Sequence, residues 1–139
     1  MSTRSYICQE TDQGYQCVYC HWDGYPENNG KILLENYKDA RKVNDLISQG
    51  DMSLLGANIV PDKQRSHSFE NRQDNVCVFY HRDRKEPWEN TKPKLIADLN
   101  GLRKIFGIAY VYIYSNNKWY YLVNGKIELL PKDICGIDD

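Results

Sequence analysis

The clearest structural signal in the chain lies in residues 108–130, which read IAYVYIYSNNKWYYLVNGKIELL. Tyrosine, valine and isoleucine favour strands, and here they fill short runs that are separated by turn-forming residues. The turns are Ser115-Asn116-Asn117 and Asn124-Gly125, of which the Asn-Gly pair is a strong hairpin signal. The sequence therefore predicts a three-stranded antiparallel meander over residues 108–114, 118–123 and 126–130.

The first half of the chain predicts a hairpin followed by helices. Residues 6–8 and 15–20 are strand-like runs, and the segment from Thr11 to Gly14 between them contains turn formers. Punctuation by glycine, proline and asparagine predicts a loop over residues 23–30 and then a helix over 31–36. Asp39 is a suitable N-cap for a second helix over 40–48, which Gly50 ends. Asp51 is expected to cap a short turn that runs to Leu55.

The region between the helices and the meander is more polar. Residues 61–75 predict a long exposed loop, and its length makes a functional flap worth considering. A strand over 76–80, a charged run over 81–86 and a loop bracketed by Pro87 and Pro93 follow. Apolar spacing predicts a helix over 95–106, with Phe106 on its apolar side. Together these elements predict a single α+β domain over residues 1–139.

Composition narrows the classes of partner. Eighteen Lys and Arg stand against nineteen Asp and Glu among 139 residues, so the net charge is −1 and nucleic acid is unlikely as the main partner. No apolar run approaches the roughly 18 residues of a membrane span, and the first residues form no apolar leader. The chain is therefore expected to be cytoplasmic, with no membrane partner. Tyrosine-rich strands that pair at their edges would permit a homo-oligomer.

Two of the cysteines have the spacing of metal ligands. Cys17-x-x-Cys20 followed by His21 resembles half of a zinc site, but the sequence has no second such pair to complete four ligands. Residues three apart on a strand also point to opposite faces. Buried, small, apolar cysteines are the favoured interpretation, and neither a metal nor a cofactor is expected.

The stretch His21-Trp22-Asp23-Gly24-Tyr25-Pro26 is the first candidate site. It follows a predicted strand, where a rigid scaffold commonly presents reactive side chains. His21 could act as an acid or base with Asp23 to orient a partner, while Trp22 and Tyr25 offer flat faces for stacking. The structural alternative is a turn made by Gly24 and Pro26, with Trp22 anchored in the core.

The charged run that follows residues 76–80 is the second candidate. Arg82 and Arg84 could fork onto a phosphate or carboxylate, whereas the alternative is a solvated loop with Asp83 paired internally. If this run lay beside the first candidate, His21, His81, Arg4 and the two arginines would converge. Such a cluster would suit metal-free phosphodiester chemistry, with one histidine as base and the other as acid.

Six separate blocks of sequence lie within the first 85 residues. The blocks are Thr3-Arg4-Ser5-x-Ile7, Tyr19-Cys20-His21-Trp22-Asp23-Gly24-Tyr25-Pro26, Gly30-Lys31-x-Leu33-Leu34-x-x-Tyr37, Lys42-Val43-x-x-Leu46-Ile47-x-x-Gly50-Asp51-x-Ser53-x-Leu55-Gly56, His67-Ser68-Phe69 and Val78-Phe79-Tyr80-x-Arg82-Asp83-Arg84. In these blocks and their order the chain resembles a family of small bacteriophage and prophage proteins that have no established activity. His81 stands where that family would place a small residue such as glycine, which weakens any catalytic role for His81.

The resemblance implies an accessory protein acting in the cytoplasm of a bacterial host. We expect a binding protein that antagonises host defence or redirects a host process, through a host protein or a small anionic, nucleotide-like ligand. A small metal-independent nuclease or nucleotide hydrolase is the alternative. The expected ligand-binding residues are Arg4, His21, Trp22, Asp23, Tyr25, Arg82, Asp83 and Arg84.

Overall fold

The computed structural model describes residues 3–105 and 107–131. The strands are β1 Ser5–Thr11, β2 Gly14–Cys20, β3 Met52–Leu54, β4 Val78–Phe79, β5 Lys94–Ile96, β6 Tyr110–Ser115, β7 Lys118–Val123 and β8 Lys126–Leu129. The α-helices are α1 Lys31–Asn36, α2 Ala40–Ser48, α3 Tyr80–Arg84, α4 Trp88–Thr91 and α5 Leu99–Arg103, and a π-helical turn, Pro26–Gly30, precedes α1.

The predicted α+β class, with its N-terminal hairpin and C-terminal meander, is confirmed. β1 and β2 pair antiparallel from Ser5 opposite Cys20 to Thr11 opposite Gly14. In the meander, Asn116 and Asn117 both have positive φ, as do Asn124 and Gly125. Two consecutive residues of positive φ are typical of the type I′ turn, whose twist matches that of antiparallel strands. The turn residues thus account for the register of β6, β7 and β8.

One mixed sheet joins the hairpin to the meander. Its order is β4-β3-β2-β1-β6-β7-β8, and β1 runs parallel to β6. The outer edge of β2 is shared, because β3 pairs with its end at Cys20 while β5 pairs with its start at Tyr15–Cys17. The long-range parallel junctions bring residues from both halves of the chain to the carboxyl end of β2.

The central strands of the sheet are buried on both faces. α1 and α2 cover one face, where Ile7, Val18 and Tyr112 pack with Leu33 and Leu46. The opposite face forms a smaller core, which α5 covers through Leu102; its other buried members are Cys8, Cys17, Val111 and Ile113. Cys17 and Cys20 belong to opposite cores, as the two-residue period of a strand requires.

The two predicted helices after the hairpin are confirmed at residues 31–36 and 40–48. Asp39 caps α2, since its Oδ1 accepts a hydrogen bond from the Lys42 N–H at 2.8 Å. After α2 the chain turns at Gly50, whose φ is +87°. A Cβ at that position would lie 2.4 Å from the Thr91 carbonyl oxygen, so both conformation and space require glycine.

Two predictions were wrong because long-range strand pairing overrode local preference. The expected turn from Asp51 to Leu55 is the strand β3, which lies between β2 and β4. The expected helix over 95–106 is instead β5 followed by the short α5. Asp98 begins α5 by accepting a hydrogen bond from the Gly101 N–H at 2.9 Å. Phe106 lies outside the described residues.

Local helices also replace segments that were predicted as strand or loop. The strand expected over 76–80 is reduced to Val78–Phe79, and the charged run that follows is α3. Asp83 stabilises the start of this helix, since its Oδ2 accepts a hydrogen bond from the Phe79 N–H at 2.8 Å. The loop between Pro87 and Pro93 contains α4, and the loop over 23–30 contains the π-helical turn.

Residues 61–75 form the irregular segment that the sequence predicts, but hydrogen bonds within the segment hold it together. Gln73 is only 5% exposed, and its side-chain amide donates to the carbonyl oxygens of Asp62 and Arg65 at 3.0 and 3.1 Å. The Gln73 N–H donates to Nδ1 of His67 at 3.0 Å. Across residues 3–105 and 107–131, no helix has the length and apolar character needed to cross a membrane.

Candidate functional site

The stretch His21–Pro26 forms an elbow where the chain leaves β2. The N–H groups of His21 and Trp22 donate to the carbonyl oxygens of Met52 and Ser53, at 3.2 and 3.0 Å. On the other side, the Gly24 N–H donates to the Thr3 carbonyl oxygen at 2.8 Å. Backbone hydrogen bonds therefore fix the elbow to β3 and to the segment that leads into β1.

Glycine is required at the centre of the elbow. A Cβ at Gly24 would lie 2.8 Å from both the Ser5 Cβ and the Thr3 carbonyl oxygen. The buried Tyr112 hydroxyl donates to the Gly24 carbonyl oxygen at 2.6 Å. Gly24 packs inward, whereas the nearby aromatic side chains are exposed, Trp22 by 42% and Tyr25 by 37%.

Trp22 forms part of a cleft of about 330 Å³. The elbow and β3 form one side of this cleft, and the segment 61–75 supplies Phe69 and Arg72. Arg84 is not on the lining but contacts Phe69, since its guanidinium Cζ lies 4.8 Å from the centre of the Phe69 ring. The lining residues are Trp22, Asp23, Ser53, Leu54, Phe69, Arg72 and Val78; we call this space the Trp22 cleft.

His21 lies beside the Trp22 cleft rather than among its lining residues. Its Nδ1 is 2.6 Å from the Tyr19 hydroxyl, and its ring centre is 4.7 Å from that of Trp22 in an edge-on arrangement. Partial burial, and secondarily the positive charge of Arg4, lower the pKa of His21. The imidazole is therefore neutral at pH 7, and it supports the Trp22 ring.

Arg82 and Asp83 form a structural ion pair. Arg82 Nε donates to Asp83 Oδ1 at 2.9 Å, and Arg82 Nη2 donates to Asp83 Oδ2 at 3.0 Å and to the Cys77 carbonyl oxygen at 2.9 Å. The Asp83 side chain is 5% exposed, and His67 Nε2 lies 3.4 Å from it. These contacts hold the segment 61–75 against α3 and occupy the groups that were expected to bind a ligand.

The sequence leaves open whether the two candidate stretches converge, and the structure brings them together only in part. Asp23 lines the Trp22 cleft, His21 contacts Trp22, and Arg84 lies against Phe69. Arg82 is directed into the interior network instead. His81 is engaged too, because its Nδ1 lies 2.7 Å from the Glu86 carbonyl oxygen. The two histidines and the arginine pair therefore do not form one acid–base site.

Five of the seven lining residues were not among the expected ligand residues, namely Ser53, Leu54, Val78, Phe69 and Arg72. Of these, Phe69 and Arg72 supply the aromatic and the charged side chain. They lie in a polar segment without helical or strand periodicity, so local pattern could not place them. The length of that segment, which raised the idea of a functional flap, was the available signal.

The described cysteines are buried and unpaired. Burial raises the pKa of the Cys20 thiol to about 12, so this thiol is protonated at neutral pH. Within residues 3–105 and 107–131, no three His, Cys, Asp or Glu side chains are grouped as they would be to hold a metal ion.

Asp51, next to β3, supports a prediction about pH. Its Oδ1 accepts a hydrogen bond from the Tyr19 N–H at 2.9 Å, yet burial raises its pKa to about 6 from the usual 3.8. Between these values the folded state holds more protons than the unfolded state, so the free energy of unfolding falls as pH rises. Asn at position 51 keeps the acceptor oxygen without the charge. Asp51→Asn should therefore remove this fall and stabilise the protein at pH 8. The expected gain is only about 1 kcal/mol, because water screens the half-buried carboxylate.

Urea denaturation from pH 4 to pH 8 tests this expectation. Asp45→Asn is the matched control, because Asp45 is exposed on α2. An Asp51→Asn curve parallel to the wild-type curve over the whole range would contradict it.

No family model, curated protein or solved structure matches this chain. The Trp22 cleft is therefore interpreted from its own residues and their geometry.

Proposed function

We propose that this chain is an accessory binding protein of bacteriophage type, and that its Trp22 cleft takes an anionic ligand with a planar ring. A nucleotide is the chemical class that combines these properties. The main support is that Trp22, which is 42% exposed, lines the same cleft as Phe69 and Arg72.

The aromatic residues support the ring-binding part of the proposal. An exposed tryptophan that the backbone holds rigidly loses little conformational freedom when a ring stacks on it. Stacking of a base on an aromatic side chain contributes about 1–3 kcal/mol. Trp22 is held in this way by its N–H bond to Ser53 and by the edge of the His21 ring.

The charges support the anionic part. Arg72 lines the cleft, and the guanidinium of Arg84 stacks on Phe69. Guanidinium groups pair with phosphate through two parallel hydrogen bonds. Asp23 is the acidic residue on the lining, and its carboxylate would accept hydrogen bonds from the amino or hydroxyl groups of a nucleotide.

Binding is favoured over hydrolysis by the state of the other polar groups. Arg82 is bonded to Asp83 and to main-chain carbonyl oxygens. A nuclease would need this guanidinium free to stabilise a transition state. In a bacterial host, sequestering a nucleotide would antagonise a defence or redirect a process that depends on that nucleotide.

Calorimetric titration with a purine nucleoside triphosphate, the corresponding nucleoside and inorganic phosphate tests the proposal. The triphosphate should bind more tightly than either fragment. Trp22→Ala and Arg72→Ala should each weaken its affinity about tenfold, because each removes about 1.4 kcal/mol of binding free energy.

Matched controls separate cleft contacts from general effects. Trp88→Ala removes a tryptophan that is 37% exposed elsewhere, and Arg41→Ala removes an exposed arginine on α2. Both should leave affinity unchanged. Absence of saturable binding of the nucleotide up to about 1 mM would contradict the nucleotide class and leave a host protein as the partner to be sought.

A further inference from the structure

In the part of the chain that the structure describes, the last strand of the sheet has an open edge. β8 is at the end of the strand order and pairs on one side with β7. All four of its residues are exposed. Among residues 3–105 and 107–131, no strand pairs with its other side. An unpaired edge presents a row of N–H and C=O groups on which another strand can pair.

The hydrogen-bonding direction along β8 can be assigned residue by residue. The two-residue turn makes Val123 and Lys126 a hydrogen-bonded pair, and such pairs then alternate along the hairpin. Beyond the strand, the Leu130 N–H donates to the Trp119 carbonyl oxygen at 3.0 Å, which agrees with this alternation. Even-numbered residues therefore bond to β7, whereas Ile127 and Leu129 direct their N–H and C=O groups to the open edge.

The side chains of β8 alternate in the same way. Lys126 and Glu128 lie on one face, and Ile127 and Leu129 lie on the other. Ile127 is 37% exposed and Leu129 is 52% exposed, so two large apolar side chains are accessible on a four-residue strand. Residues of opposite charge thus lie two positions apart, on either side of the outward-bonding Ile127.

We propose that a second copy of this chain pairs with the open edge, β8 against β8 in antiparallel orientation, with the two-fold axis at Ile127. In this register the two Ile127 residues exchange N–H···O=C hydrogen bonds, as their outward direction requires. Lys126 of each copy then faces Glu128 of the other. These are non-hydrogen-bonded pairs, in which opposing side chains are closest.

Charge complementarity selects this register among its neighbours. An axis at Lys126 would place the two Lys126 residues opposite each other, and an axis at Glu128 would oppose the two carboxylates. An axis at Leu129 would place Pro131 opposite Ile127, where proline has no N–H to donate. The Ile127 axis gives two opposite-charge pairs. It also joins the two sheets into one, with the Ile127 and Leu129 side chains of both copies on the same face.

Charge exchange at β8 tests this dimer directly by sedimentation velocity and equilibrium. The wild-type protein should dimerise, whereas Lys126→Glu and Glu128→Lys should each weaken self-association at least about tenfold, because like charges then face each other twice. An equimolar mixture of the two variants should form a 1:1 heterodimer, since each facing pair then joins a carboxylate of one variant to an ammonium group of the other. The double variant Lys126→Glu/Glu128→Lys should dimerise again.

The substituted proteins should fold like the wild type because the altered side chains are exposed, and circular dichroism is the check on their folding. A wild-type protein that stays monomeric up to about 1 mM would overturn the dimer. Single variants that associate like the wild type would overturn the β8 edge as the interface. Single variants that become monomeric but fail to form the heterodimer would overturn the register at Ile127.

Discussion

Replacing Asp83 with alanine is expected to lower the free energy of unfolding by about 3–4 kcal/mol. The Asp83 carboxylate accepts bonds from Arg82 through both oxygens and from the Phe79 N–H, and its side chain is 5% exposed. Its removal leaves the Arg82 guanidinium without its anion and the Phe79 N–H, at the start of α3, without its acceptor. The Arg82 side chain is 27% exposed, so it stays partly desolvated after the loss of Asp83, and removing one partner of such a pair has a large effect.

Arg84→Ala is the matched control for this prediction, since it alters the next charged position on the same short helix. Arg84 is 52% exposed in its side chain and lies 3.4 Å from Glu86, so its loss should change stability by less than about 1 kcal/mol. Urea denaturation of the three proteins measures the difference. Equal effects of the two substitutions would show that Arg82 and Asp83 form an ordinary surface pair and not an anchor for residues 61–75.

Gly24→Ala is expected to destabilise the protein by about 2–3 kcal/mol. The added Cβ would approach the Thr3 carbonyl oxygen and the Ser5 Cβ to 2.8 Å. Ser5 is fully buried, and the Thr3 carbonyl already accepts the Gly24 N–H, so neither can move away without breaking the attachment of the elbow. The substitution should also weaken ligand binding at the Trp22 cleft, because the same attachment positions Trp22.

Asp23→Gly is the matched control, since it removes a side chain at the adjacent position, whereas Gly24→Ala adds one. Asp23 has a φ of +55°, a conformation that costs L-residues about 1 kcal/mol and glycine nothing. Its stability should therefore remain within about 1 kcal/mol of the wild type. Thermal unfolding followed by circular dichroism distinguishes the two variants. A Gly24→Ala protein as stable as Asp23→Gly would contradict the close packing of the elbow.

The elements that could be predicted are those whose signals are local. Asp39 and Gly50 mark the ends of α2 by the hydrogen bond and the backbone conformation that each supplies. Asn124 and Gly125 likewise require the tight turn of the meander. These residues act within a few positions of themselves, so a sequence window contains the whole cause.

The elements that were wrong depend on distant partners. Leu95 and Ile96 have helical spacing with later residues, yet they form β5 because β2 offers an edge at Tyr15–Cys17. Residues 52–54 become a strand for the same reason, since β2 and β4 flank them. No window around either segment contains the strand with which it pairs.

The candidate site follows the same division. The elbow at residues 21–26 was predicted from its own turn chemistry and strand-end position. Arg82 was expected to bind a ligand because alternating arginines after a strand can fork onto a phosphate or carboxylate. Its actual partners include the Ile59 carbonyl oxygen, 23 positions earlier, which sequence spacing does not reveal. Phe69 and Arg72 reach the Trp22 cleft because the Arg82–Asp83 ion pair holds residues 61–75 against α3.

The most direct measurement of ligand binding at the Trp22 cleft is an NMR titration that follows the indole N–H signals of Trp22, Trp88 and Trp119. The buried Trp119 indole is an internal reference, since it donates to the Tyr37 carbonyl oxygen at 2.8 Å. Adding the purine nucleoside triphosphate should shift the Trp22 signal saturably and leave the other two in place, with the nucleotide recovered intact. A Trp22 signal that stays fixed, while the nucleotide shifts other signals or none, would contradict binding at this cleft.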